Sequence, residues 1–151
     1  MRLRLLPLVT ALLLFAASAV VAECNPDSIS IRRYGHYETR GYRWNVVIVP
    51  AKLSPECLIA LATSLHKAEP ESRVDFFDAE SKELSRYLYC NDRDLANCDY
   101  SDAWVDKHTV GALQPTSDGI GCGVWAVLDK HDHVIAKLDR LNCETRRGPA
   151  H

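Results

Sequence analysis

Six cysteines, Cys24, Cys57, Cys90, Cys98, Cys122 and Cys143, constrain this chain more than any other feature, because all six follow a stretch with the marks of an export signal. That stretch, MRLRLLPLVTALLLFAASAVVA, has a basic start at Arg2 and Arg4 and an almost wholly apolar run from Leu8 to Val21. Val20 and Ala22 are small residues where a signal peptidase cuts. Pro7 leaves the run short of the roughly 18 uncharged residues that span a bilayer, and no stop-transfer charges follow. Glu23 stands before Cys24, where a lipidation site requires a small residue. The expectation is a signal at residues 1–22 and one exported domain at 23–151, periplasmic or secreted, with no membrane span after cleavage. An even number of cysteines behind such a signal reads as three disulfides. No CxxC pair is present to suggest zinc instead.

Charge narrows the partners. The chain has 18 basic and 20 acidic side chains, and the signal carries two of the former and none of the latter. The remainder has 16 and 20, a formal charge of −4. A phosphate backbone requires a basic footprint, so nucleic acid is not an expected partner. There is no internal repeat and no low-complexity tract.

Hydrophobic patterning predicts an α+β domain. Ser28 to Tyr34 reads as a short edge strand, and GHYETRG, Gly35 to Gly41, as a turn or hairpin loop. In YRWNVVIVP, Tyr42, Trp44, Val46 and Ile48 mark one face while Val47 and Val49 join the other, the pattern of a central strand. LSPECLIALATSLHK is the clearest helix. Ser54 is the N-cap, Pro55 the first helical residue and Glu56 lies in the first turn, with Leu53 and Leu58 placed as a hydrophobic staple. Leu58, Leu61, Ala62 and Leu65 form its apolar face, and Glu69 and Pro70 end it. Arg73 to Phe77 is the next strand, and Asp78 caps a second helix through Asn91 with Leu84, Tyr87 and Leu88 on its buried face. His108 to Leu113, CGVWAVL and HVIAKL supply three more strands, the last two as a hairpin around DKHDH. The predicted order is β-β-α-β-α-β-β-β: a two-layer domain with a mixed sheet and two helices packed on one face. In that hairpin Leu128 falls near Val134, which brings Cys122 towards Arg140 and Cys143. Cys90 and Cys98 are close in sequence, leaving Cys24 for Cys57 at the first helix.

The stretch LYCNDRDLANCDYSDAW, Leu88 to Trp104, holds the strongest functional signals. From Asp92 it reads D-R-D-L-A-N, with Asn97 where an EF-hand requires glycine and Leu95 and Ala96 breaking the ligand spacing. It reads instead as a loop clipped by Cys90 and Cys98. Its length marks it as a binding surface, and its aromatic residues suit an interface. Asp94, Tyr100, Asp102 and Trp104 are the candidate binding residues.

Other constellations are weaker. Ser101, Asp102, Asp106 and His108 contain hydrolase ingredients, but there is no GxSxG elbow. His131 and His133 stand at i, i+2 on a hairpin tip with no third ligand beside them. GIGCGVW has neither the spacing nor the following helix of a phosphate loop. Arg32, Arg33, Arg40 and Arg43 form the one basic cluster, and Trp44 and Trp125 read as core. No cofactor, metal or catalytic residue is expected.

The stretch VVIVPAKLSPECLIALATSLHKAEPESRVDFFDAESKELSRYL, with WVDKHTVGALQ further on, resembles a segment of small bacterial exported proteins and lipoproteins. The likeness covers Val46 to Leu88 and Trp104 to Gln114. It implies a bacterial origin and an envelope or secreted location, and carries no catalytic residue with it. The cysteines are a departure from that segment. The resulting expectation is a non-enzymatic module of the envelope that binds another exported protein, inhibitor- or immunity-like. The alternatives are a small exported hydrolase using His108 with Asp106 or Ser101, and a metal-binding module.

Overall fold

Two adjacent strands, Tyr42–Ile48 and Arg73–Phe77, carry apolar side chains on both faces and lie at the middle of the protein. Val46, Val47, Phe76 and Phe77 are almost wholly buried. The computed structural model describes residues 24–93, 95, 98–117 and 123–141. Among them is one six-stranded sheet whose spatial order follows the chain: β1 (Arg32–Thr39), β2 (Tyr42–Ile48), β3 (Arg73–Phe77), β4 (Thr109–Ser117), β5 (Gly123–Asp129) and β6 (Val134–Arg140). Only β2 and β3 pair in parallel, Val46 opposite Asp75 and Ile48 opposite Phe77; every other pairing is antiparallel. A parallel pair needs a crossover, and α1 (Pro55–Ala68) supplies it.

The local chemistry of α1 is as expected. Ser54 accepts the Cys57 amide at 3.2 Å, Pro55 opens the helix, and the Glu69 amide closes it on the Leu65 carbonyl. Its buried Leu58, Leu61 and Ala62 pack on Val47, Val49, Val74, Phe76, Leu113, Trp125 and Val127. The second helix, α2 (Lys82–Asp92), is capped by Ser81, not Asp78. Asp78 is turned instead to His108. A third helix, α3 (Asp102–His108), occupies part of what the sequence suggested was loop.

The mixed sheet, the single α+β domain and the strand order stand, while the helices depart from expectation in number and placement. Tyr37, Val46, Phe77 and Leu84 form a second core with Trp44, Tyr87, Leu88, Trp104 and Val105, on the face opposite α1. Successive strand residues point to opposite faces. Val47 and Phe76 therefore meet α1, while Val46 and Phe77 meet α2 and α3. The result is three layers. A sheet that is apolar on both sides at its centre cannot leave one side to water.

The first strand also lies later than expected, at Arg32–Thr39, and Gly35 is within it rather than in a turn. A β-carbon at Gly35 would come within 2.7 Å of Leu88 Cδ2, so the glycine admits α2 close to the sheet. The β1–β2 turn falls on Arg40 and Gly41, both at positive φ (52° and 76°), the geometry of a tight hairpin.

Two of the expected bridges are present. Cys24–Cys57 ties the N-terminal segment to the first turn of α1, and Cys90–Cys98 clips the end of α2 to the connection before α3. Cys122 and Cys143, and the signal at 1–22, lie outside the described residues. Disulfides fit an oxidising, non-cytoplasmic compartment. Among the described residues no helix is long and apolar enough to cross a membrane.

The bridges differ in the chain they close, 33 residues for Cys24–Cys57 and 8 for Cys90–Cys98. Loop-closure entropy then predicts that Cys24→Ala with Cys57→Ala lowers the unfolding free energy by about 3–4 kcal/mol, and the Cys90, Cys98 pair by about 2–3 kcal/mol. Urea unfolding of the two double variants checks the order; a larger loss from the short loop would contradict it.

Candidate functional site

On β3 the alternation Val74, Asp75, Phe76, Phe77 sends a carboxylate into the face that α2 and α3 cover. Asp75 is only 8% exposed. Its neighbours across the ladder are Val46 and Ala112, which offer it no side-chain hydrogen bond. An unpaired carboxylate buried in this way is costly. The compensation comes from β1 and α2. Tyr37 Oη donates to Asp75 Oδ2 at 2.8 Å and Tyr87 Oη donates to the same oxygen at 3.1 Å, with the two hydroxyls 3.3 Å apart. Among the described residues no donor is directed at Oδ1.

Burial dominates the electrostatics. It pushes Asp75 up to about 6, against the pull of the two tyrosine hydrogen bonds, and the charge of Asp132 adds to the rise. Burial, followed by the Asp75 charge, raises Tyr37 and Tyr87 well above the ordinary tyrosine range. Both phenols therefore stay protonated and act as donors.

Asp75 opens on a cavity of about 230 Å³. Tyr37, Trp44, Phe77 and Tyr87 supply aromatic walls, Thr109, Gly111, Ala112 and Gln114 of β4 another side, and Asp129 and Asp132 of the β5–β6 hairpin a third. The rings are in mutual contact: Tyr37 stacks on Trp44 at 5.9 Å, and Tyr87 stands edge-on to Tyr37 at 5.8 Å and to Phe77 at 5.6 Å. Trp44 Nε1 is buried without an acceptor among the described residues. Asp129 is held by the hairpin itself, its Oδ1 accepting the His131 and His133 amides at 2.8 and 3.0 Å, bonds that keep its carboxyl below the usual range.

The residues singled out from sequence are distributed unevenly around this site. Tyr100 stands edge-on to Tyr87 at 5.5 Å, and Trp104 stacks on Phe77 at 6.2 Å. Both extend the aromatic chain and face the sheet, half-buried. Asp102 is exposed in the first turn of α3, and Asp94 lies outside the described residues. Ser101 is the N-cap of α3, accepting the Trp104 amide. It stands at the opposite end of that helix from His108, about 10 Å away along the axis. His108 pairs with Asp78, Nδ1 to Oδ1 at 2.7 Å, not with Asp106, which is exposed. His131 and His133 are exposed, with ring centroids 6.0 Å apart. Among the described residues no three His, Cys, Asp or Glu side chains are grouped to hold a metal ion. In the basic cluster, Arg32 pairs with Glu80 and Arg33 with Glu69. Trp125 is core as expected, packed beside the buried His66 ring at 4.8 Å.

Asp75, Tyr37 and Tyr87 were not among the sequence candidates as a group. The available signal was Asp75 itself, an acid in the middle of RVDFF, where an apolar residue is the ordinary occupant. Comparison of the chain with protein-family models, with characterised proteins and with solved structures gives no match.

The raised folded-state pKa of Asp75 has a consequence for stability. Between about pH 4 and pH 6 the folded chain holds a proton that the unfolded chain has released. The contribution is full below about pH 4 and is lost as pH rises through about 6. Asp75→Asn removes this dependence, so the variant gains about 2–3 kcal/mol over the wild type between pH 4 and pH 7.5. Urea unfolding of both proteins across that range measures it. Parallel curves would show that Asp75 is not the buried titrating group.

Proposed function

We propose that this protein is a non-enzymatic binding module of the bacterial envelope, exported and inhibitor- or immunity-like, whose partner is another exported or envelope protein. The observation that supports the reading is the cavity itself: a buried, hydrogen-bonded carboxylate in an aromatic recess. The clipped loop takes part indirectly. Cys90–Cys98 holds the approach to α3, and through it Tyr100 and Trp104 brace Tyr87 and Phe77. Recognition is then centred on Asp75 and its tyrosines, with the loop as their support. A recess that brings convergent polar groups together with aromatic walls is a usual form of a ligand-recognition site.

One observation favours a second reading, a small exported hydrolase. His108 is held by Asp78 at 2.7 Å, as a base is held by its orienting acid. The test is a panel of ester and peptide substrates, on which His108→Ala would abolish turnover.

For the binding reading, the oxidised protein is immobilised beside its Tyr87→Phe and Asp75→Asn variants and exposed to envelope extract. A stoichiometric partner that survives high salt is expected on the wild type. Its affinity should fall roughly tenfold or more on Tyr87→Phe, as loss of a hydrogen bond to a charged group implies. Equal capture by all three proteins would remove the cavity from the binding surface.

A further inference from the structure

We infer that the Asp75 cavity receives a single compact organic cation, an alkylammonium or guanidinium group, with its charge against Asp75 and its carbon stem among the rings of Tyr37, Trp44, Phe77 and Tyr87. The inference rests on the cavity being the recognition site and adds the chemistry of what enters it.

Sign is the first argument. Among the described residues the lining includes three carboxylates, Asp75, Asp129 and Asp132, and no Lys, Arg or His. An anion entering there would meet like charge from two sides, and a neutral group would leave Asp75 desolvated without a counter-charge. A bare metal ion fits poorly, because no three suitable ligands are grouped among the described residues.

The walls are the second. Aromatic faces attract cations through their quadrupoles, most strongly when water is excluded. This protein already uses that contact on the same side of the sheet. The Arg73 guanidinium lies 3.7 Å from the Tyr42 ring centroid and 5.1 Å from that of Trp44. Arg73 is two residues before Asp75 and on the same face, the position from which a cation would neutralise it. It is drawn onto the rings instead, and among the described residues no ion pair reaches Asp75. Oδ1, without a donor, is left for the guest. Size is the third argument: about 230 Å³ is below the range of drug-sized pockets and suits a small amine or one side-chain end.

Among the described residues the charged and titratable groups around Asp75 are Tyr37 from β1, Tyr87 from α2, and Asp129 and Asp132 from the β5–β6 hairpin, with Arg73 of β3 on the same face but held over Tyr42 and Trp44. The tyrosines stay neutral, so the charge of Asp75 governs the pH response. Only the carboxylate form binds a cation, and alkylamines remain protonated well above neutrality. Affinity therefore weakens on acidification, by roughly tenfold between pH 7.5 and pH 5 for a group titrating about 6.

The test is an NMR titration of the oxidised protein with butylammonium, 1-butanol, butyrate and acetyl-glycyl-lysyl-glycinamide, read at the Trp44 indole N–H and the rings of Tyr37 and Tyr87. Butylammonium is expected to saturate these signals, to weaken roughly tenfold at pH 5, and to exceed 1-butanol and butyrate by roughly tenfold or more. Asp75→Asn should abolish the effect. Asp132→Asn, at a hairpin position of positive φ that asparagine tolerates, should weaken it by about two- to threefold without touching the core. Tighter binding of the lysyl peptide than of butylammonium assigns the cation to a protein side chain; the reverse assigns it to a free amine. Equal or stronger binding of 1-butanol or butyrate overturns the cation while leaving the cavity as a recognition site. Silence from every probe also overturns the cation. If partner capture is in addition indifferent to Asp75→Asn and Tyr87→Phe, the cavity falls as a recognition site too.

Discussion

The parallel pairing of β2 with β3 is the constraint on which the other layers depend. Both strands bury side chains to either side, so each face of their pairing requires its own cover. The crossover that makes the pairing possible is α1, and it covers one face by necessity. The other face cannot be reached by that helix. It is closed by α2 and α3, which come after β3 in the chain, and Gly35 on β1 lets α2 approach closely enough. The disulfides support both covers. One anchors the start of α1, where the chain before β1 crosses it, and the other shortens the path between α2 and α3.

Asp75 is the exception that gives the covered face its chemistry. It occupies a strand position where valine or phenylalanine would contribute to the core, and its burial raises the free energy of its ionised form. Tyr37 and Tyr87 offset part of that cost, each with an apolar ring that packs and a hydroxyl that donates. The network therefore serves core and site together. The phenols cannot swing away without leaving the carboxylate bare, and the rings cannot be removed without opening the core. A site of this kind is preorganised by the packing that surrounds it.

Much of this was legible in the sequence where local rules suffice. Arg73–Phe77, the Ser54 cap, the opposition of Leu128 and Val134, and the Cys90–Cys98 bridge all follow from short-range patterning or proximity, while Cys24–Cys57, 33 residues apart, followed by elimination. The failures have physical causes. Asp78 has the chemistry of a helix cap, yet its carboxylate finds His108, 30 residues on, and Ser81 caps the helix instead. α3 spans seven residues, too few for an apolar period to stand out, although Ser101 and Asp102 at its start and Lys107 and His108 at its end are a helix's usual terminal residues. Gly35 resembled a turn residue because close approach of a helix and positive φ call for the same side chain. That Tyr100 and Trp104 pack towards Tyr87 and Phe77 was not legible, because aromatic residues in a polar loop do not say which way they face. The triad of Asp75, Tyr37 and Tyr87 draws on three elements separated by up to 50 residues, and only Asp75 was out of place in its own segment.

The position of the cavity bears on how it works. It lies between the cover of α2 and α3 and the β5–β6 hairpin, and its two sides are held by different interactions. One side is Tyr37, Trp44, Phe77 and Tyr87, locked by ring contacts and by the core beneath them. The other carries Asp129 and Asp132 on a tight hairpin, in which Asp129 is pinned by amide hydrogen bonds and Asp132 sits at positive φ. The charge of Asp132 on the hairpin adds to the raised pKa of Asp75, after the larger effect of burial. A guest that neutralises Asp75 thus relieves two unfavourable terms at once, the desolvation of a buried carboxylate and its repulsion from a second one. Both terms exist before anything binds. In the free protein both raise the energy of the ionised carboxylate, and a cation in the cavity would offset them.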